Sequence, residues 1–200
     1  MDFPKGDRQF LTVLDRLVGI DASPRENAVS LSDPRIREFP FLYTLEVGYM
    51  RLSEADVEGL RGYLEAGGFL VVDDFWGPSE WENFQREMSR VLPDRPIREL
   101  PRDHPIFHEV YDVAEVIQVP NVDNGVSHGL HGAPTHQGSG SETPRVFGIE
   151  DDQGELMVVI NWNTDLGDAW EHAENPYYPL KFSTFAFQMG VNMIVYGLSH

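Results

Sequence analysis

The chain has 200 residues, with 33 Asp plus Glu against 15 Lys plus Arg and a net charge of −18. That charge repels phosphate backbones and anionic headgroups, which disfavours nucleic acid and acidic membranes as partners. There is no cysteine, and this removes disulfides, thiolate metal sites and cysteine nucleophiles together. No apolar run approaches the roughly 20 residues that span a bilayer, so no membrane insertion is expected. The opening MDFPKGDRQF contains no hydrophobic signal segment. The chain therefore reads as cytoplasmic, or as the mature or trimmed part of a longer exported protein.

Phe10, Leu11, Leu14, Leu17 and Val18 recur at helical spacing between Asp7 and Gly19. Ala28 to Leu31 reads as a short strand before the Asp33-Pro34 turn, and FPFLYT (Phe39 to Thr44) is a continuous apolar run of strand length. Ser53 with Asp56 marks a helix start, and Val57, Leu60, Tyr63 and Leu64 share one face before Gly67-Gly68 closes it. Phe69 to Val72 follows as a buried strand, leading into Asp73-Asp74-Phe75-Trp76-Gly77. Ser79 with Glu82 repeats the capping pattern and predicts a helix through Trp81, Phe84, Met88 and Val91 that stops at Pro93.

Prolines then divide Ile97 to Phe107 into short extended pieces, and AEVIQVP (Ala114 to Pro120) predicts a strand. Asn121 to Thr143 is rich in Gly, Ser and His and reads as a long surface loop, the kind that serves as a lid or binding loop. RVFGIE and ELMVVIN flank Asp151-Asp152-Gln153-Gly154, a hairpin signal. An irregular polar and aromatic connection runs from Asn161 to Pro179, and Ser183 to Leu198 is a terminal helix packed on most sides. Alternating apolar strands and helices predict one α/β domain over residues 1–200, mainly parallel, with an antiparallel hairpin at one edge. A doubly wound fold normally opens on a strand, whereas this chain opens on a helix.

In open parallel sheets ligands bind beyond the carboxyl ends of the strands. Those ends supply Glu46 and Tyr49 after the first strand and Asp73, Asp74 and Trp76 after the second. The third supplies Asn161, Asn163, Asp165, Asp168 and Trp170. His104, before Pro105, is expected to shape a wall of the same site. Side chains alternate along a strand, so Asp73 and Asp74 cannot face the same way: one is expected toward the crevice, the other toward a loop or helix end. The candidate ligand contacts are thus Tyr49, Trp76, Asn161, Asn163, Asp165, Asp168, Trp170 and His104, with Trp162, Tyr177 and Tyr178 as further aromatics able to stack on a flat ligand.

Glu46 with Asp73 or Asp74 is the candidate general acid/base pair if the protein is an enzyme. NWNTDLGDAWE offers a hard cation the oxygens of Asp165, Asp168 and Glu171 but lacks the alternating acids and turn glycine of an EF-hand, so a rigid loop held by Asx turns is the reading preferred. His128, His131 and His136, spaced by three and five in the expected loop, could bind zinc, but neither helical presentation nor a confirming further ligand is evident, and no residue is assigned to a metal or cofactor. A Gly-x-Ser-x-Gly elbow, a phosphate loop and a dinucleotide fingerprint are all absent.

YTLEVGYMRLSEADVEGLRGYLEAGGFLVVDDFWG, WENFQREMSRVLPD, LPRDHPIFHEVYDV and ELMVVINWNTDLGDAWE with the later NPYY closely resemble the bacterial family known as domain of unknown function 4159, over nearly the whole chain. The resemblance implies a flavodoxin-like three-layer sandwich of the class I glutamine amidotransferase-like kind, with trehalose-utilisation-type domains as distant neighbours. It also implies an exported or envelope-associated setting, with other envelope proteins among the partners. Members commonly carry an apolar strand ahead of the segment matching FPKGDRQF, and it is absent here. Amidotransferases place a cysteine at a strand-to-helix elbow, equivalent here to Asp73 to Gly77, so glutaminase chemistry by that route is excluded. The expected function is a non-catalytic binding module for a small polar, sugar-like ligand. The alternative is a hydrolase using Glu46 and Asp73 or Asp74, with or without a divalent cation.

Overall fold

The apolar runs build a five-stranded open sheet flanked by helices. The computed structural model describes residues 5–19 and 27–200. Its strands are β1 (Phe41–Thr44), β2 (Phe69–Val72), β3 (Arg98–Glu99), β4 (Arg145–Glu150) and β5 (Leu156–Trp162). Its helices are α1 (Lys5–Val18), α2 (Glu54–Leu64), α3 (Gly77–Val91), α4 (Val122–His131), α5 (Leu166–Glu171) and α6 (Leu180–Ser199). The sheet order is β1-β2-β5-β4-β3. β1, β2 and β5 form a parallel core, with Phe41 opposite Phe69 and Leu70 opposite Val158. β4 runs antiparallel to β5, and the short β3 antiparallel to β4. The hairpin therefore joins the parallel core through β5, in the middle of the sheet, and β3 forms the outer edge.

β2 reads as an unbroken apolar run because both of its faces are covered. Phe69 and Val71 pack with Phe10 and Leu14 of α1, Trp170 of α5 and the buried side of α6. Leu70 and Val72 pack on the other face with Leu60 and Leu64 of α2 and Phe84 and Met88 of α3. Each such side chain, fully removed from water, contributes about 1.5–3 kcal/mol. Ser53 and Asp56 form the expected reciprocal cap at the start of α2. No helix of the described residues is long and apolar enough to cross a membrane.

Four expectations about elements are corrected. Ala28 to Leu31 forms no strand. Instead it leads into a turn whose Leu31 carbonyl lies so close to α2 that a Cβ on Gly59 would stand 1.9 Å from it. α3 begins at Gly77, not after Ser79: Pro78 occupies its first turn, where a missing amide goes unnoticed, and Glu80 accepts from the Trp76 amide (2.7 Å). Ala114 to Pro120 joins no sheet. It is an extended strap whose Val119 amide donates to Thr164 Oγ1 (3.1 Å) and whose Val119 carbonyl accepts from the Asp165 amide (3.0 Å).

The fourth correction falls in the expected loop. Asn121 caps α4 by accepting from the Asn124 amide (2.9 Å), and Gly132 ends it at φ 68°. Its Asn, Gly, Ser and His residues are weak helix formers, so local propensity hides it. Packing explains the helix: Gly125 lies against the Tyr178 ring and Gly129 against the Tyr177 carbonyl, approaches that a larger residue would block.

Candidate functional site

The three parallel strands leave the sheet in the same unusual way. Each exit passes through a non-glycine residue in the left-handed region: Glu46 at φ 54° after β1, Asp74 at φ 50° after β2 and Asn163 at φ 61° after β5. Such a conformation costs roughly 1–2 kcal/mol for an L-residue, and it persists where the surroundings over-determine it. Here the exits tie one another. The Glu46 amide donates to the Asp74 carbonyl (3.0 Å), the Asp73 amide to Thr44 (2.9 Å) and the Asn163 amide to Phe75 (3.1 Å). The Asn163 side chain completes the tie, accepting from the Gly77 amide (2.8 Å) and donating to the Thr143 carbonyl (2.8 Å).

The two adjacent aspartates separate as strand alternation requires. Asp73 turns inward and has no exposed surface. Its Oδ2 accepts from the Tyr43 hydroxyl (2.7 Å) and from the amides of Leu166 (2.7 Å) and Gly167 (3.2 Å) at the start of α5. Its Oδ1 has no hydrogen-bond partner. Burial pushes the carboxyl up to about 8, opposed by the Tyr43 hydrogen bond and reinforced by the Asp74 charge. The Tyr43 phenol is raised in turn, first by its own burial and then by Asp73. Asp74 is partly exposed, and its Oδ1 accepts from the Trp76 indole (2.8 Å).

The remaining candidates divide between rim and scaffold. Glu46 is exposed, Tyr49 is 78% exposed, and a hydrogen bond to Glu80 raises the Tyr49 phenol. Trp76 is buried behind Asp74. Asn161 is buried and donates to the Val72 carbonyl (3.1 Å), stitching β5 to β2. Asp165 caps α5 by accepting from the Asp168 amide (2.8 Å), and Asp168 Oδ2 accepts from the Val122 amide (2.5 Å), docking α4. The segment expected to be a loop held by Asx turns is thus a capped helix, whose buried Asp165 and Asp168 carboxylates accept from backbone amides. Trp170 is core, its ring centroid 4.3 Å from Phe10 and 5.2 Å from Tyr43. Trp162 packs at a tilt against Trp81 (ring centroids 4.9 Å apart), and Tyr178 is buried, whereas Tyr177 is exposed.

His104 does not belong to this end of the molecule. Its ring lies 5.8 Å from Tyr196, whose hydroxyl accepts from the Leu156 amide (3.4 Å) at the start of β5, the end opposite the exits. There His104 caps a short 3-10 turn by accepting from the Ile106 amide (3.2 Å), and burial lowers its basicity. His128 and His131 lie on α4 rather than in a loop, and the His128 ring is paired with the Ala133 carbonyl (2.7 Å).

Sequence reasoning missed three participants. Tyr43 points from β1 onto Asp73, and nothing in a four-residue apolar run distinguishes it. Gln118 bridges the strap to the exit by donating to the carbonyls of Ser141 (2.6 Å) and Asn163 (3.1 Å). Glu80 would have been legible had the start of α3 been placed at Gly77. A cavity of about 690 Å³ also runs along β1, lined among others by Phe10, Leu14, Tyr43, Leu60, Trp170 and Met193.

The family described as Domain of unknown function (DUF4159) matches residues 1–198, and the chain belongs to it. No curated protein matches the chain.

Proposed function

We propose that this member of the DUF4159 family is a non-catalytic binding module that takes a small polar, sugar-like ligand at the exits of β1, β2 and β5. The observation that supports it is the trio of mutually tied left-handed exits, which hold Glu46, Tyr49 and Asp74 at the surface on a rigid frame. A preorganised polar and aromatic rim of this kind suits hydroxyl-rich ligands, because little ordering remains to oppose binding. An acid/base pair is less well supported, since Asp73 is fully buried behind Tyr43 and the start of α5. The parallel β1-β2-β5 core with helices on both faces agrees with the flavodoxin-like, glutamine amidotransferase-like architecture. In that architecture the Asp73 to Gly77 elbow is where a nucleophile would stand, and this chain has no cysteine to place there. Partners from the cell envelope belong to the same proposal and rest on the resemblance.

The test is a thermal-shift and NMR titration against a panel of sugars and polyols. A saturable response that disappears in Asp74→Asn and Tyr49→Ala, with both variants folded, supports the module. A response indifferent to both variants overturns it. A second reading, a hydrolase with Asp73 as general acid, is favoured by one observation: a carboxyl raised to about 8 with one unpartnered oxygen. Turnover of a glycoside or ester panel that is abolished in Asp73→Asn would replace the first reading with the second.

A further inference from the structure

We propose a first-row transition-metal site, of the zinc class, formed by Asp168, Glu171 and His172. The proposal is independent of the sugar-like ligand. Among the described residues one group of metal-ligating side chains gathers closely: one ligand atom from each of these three lies within 4.8 Å of the other two. They stand at i, i+3 and i+4, so one helical turn presents all three on the same face. The sequence pointed instead to Asp165, Asp168 and Glu171. Asp165 leaves that set because it caps α5, and the turn of the helix brings in His172.

The geometry suits an ion better than it suits direct pairing. Asp168 is 6% exposed, and the Val122 amide on Oδ2 fixes its carboxylate. Asp168 Oδ1 is 4.0 Å from His172 Nε2, too far for a hydrogen bond. Two ligands bound to one tetrahedral ion at about 2.0–2.2 Å stand roughly 3.3–3.6 Å apart, so a small side-chain adjustment would close the set. Glu171 and His172 are only half-buried, which leaves the outer side of the group accessible for an ion to enter and for water to complete the coordination.

One imidazole beside two carboxylates selects a borderline transition ion over Mg²⁺ or Ca²⁺, which prefer oxygen-only sets.

The experiment is calorimetric titration of Zn²⁺ and of Co²⁺ into tag-free protein previously stripped with a chelator. One equivalent of Zn²⁺ binds, and the Co²⁺ form shows the visible absorption of a four- or five-coordinate ion. Glu171→Gln and His172→Gln, both checked for intact fold by circular dichroism, each weaken binding by at least about tenfold, the loss that even outer-shell substitutions cause. His131→Ala and His136→Ala leave the affinity unchanged. Absence of one-equivalent binding overturns the site, as does binding that survives His172→Gln, follows His131 or His136, or is matched by Mg²⁺.

Discussion

The inner and outer sides of the strand exits use the same residue types to opposite ends. On the inner side Asp73, Asn161, Asn163, Asp165 and Asp168 are all below 10% exposed, and each bonds backbone groups of another segment or caps a helix. On the outer side Glu46 and Tyr49 face water and Asp74 is partly exposed, beside the strained exits. The lesson is a division of labour set by burial. A carboxylate or amide at a strand end becomes scaffold when it is enclosed, because an enclosed polar group must find partners. It becomes a candidate contact when it is not enclosed. Asp73 and Asp74 are neighbours in sequence and stand on opposite sides of that boundary.

The two sides differ most at Asp73. Asp73→Ala strands the Tyr43 hydroxyl and two buried amides, and urea denaturation is expected to show a loss of about 3 kcal/mol. An equal loss in Asp74→Ala would erase the distinction between the two sides.

Acidity sharpens the same contrast. An unfolded Asp releases its proton near 4, while folded Asp73 keeps it to about 8. The folded state therefore binds one more proton across that window. The resulting stabilisation is present in full below pH 4 and falls by about 1.4 kcal/mol per pH unit as the pH rises toward 8. Denaturation at pH 5 and pH 8 should show this slope in the native protein and its disappearance in Asp73→Asn.

The strained exits give a smaller effect with a sign that differs between them. Glu46 makes no capping bond with its side chain, so Glu46→Gly relieves the left-handed backbone and should stabilise by about 1 kcal/mol. Asn163→Gly relieves the same strain but discards the bonds to Gly77 and Thr143, and should destabilise by about 1 kcal/mol. Thermal melts of the two variants moving in the same direction would contradict the account of the exits. The smallest expected change is in Tyr49→Ala, whose melting temperature stays at the native value while the ligand response is lost.

Much of this arrangement is legible along the chain. The apolar faces of α1 and α2, the Ser53/Asp56 cap, the strands β1 and β2, the Asp151 to Gly154 turn and the long α6 all announce themselves by local period and capping chemistry. The strand ends likewise identify Glu46, Asp74 and the Asn161 to Trp170 segment as polar sequence where a fold of this class keeps its sites. Elements whose local signals are weak or ambiguous escaped. α4 is held by close glycine packing on Tyr177 and Tyr178, the Ala114 to Pro120 strap takes its bonds from Thr164 and Asp165, and the start of α3 is shifted by a competing Ser79/Glu82 pattern.

The sequence by itself determined the class of the domain, the family resemblance and the places where polar residues follow buried strands, because period and turn chemistry are local properties. Only the tertiary structure decided that Asp73 looks inward to Tyr43 and α5 while Asp74 looks outward, that His104 lies at the far end of β5, and that His172 rather than Asp165 joins Asp168 and Glu171. Those outcomes depend on which segments cover which face and on which amides need a partner. Both follow from packing between residues far apart in the chain.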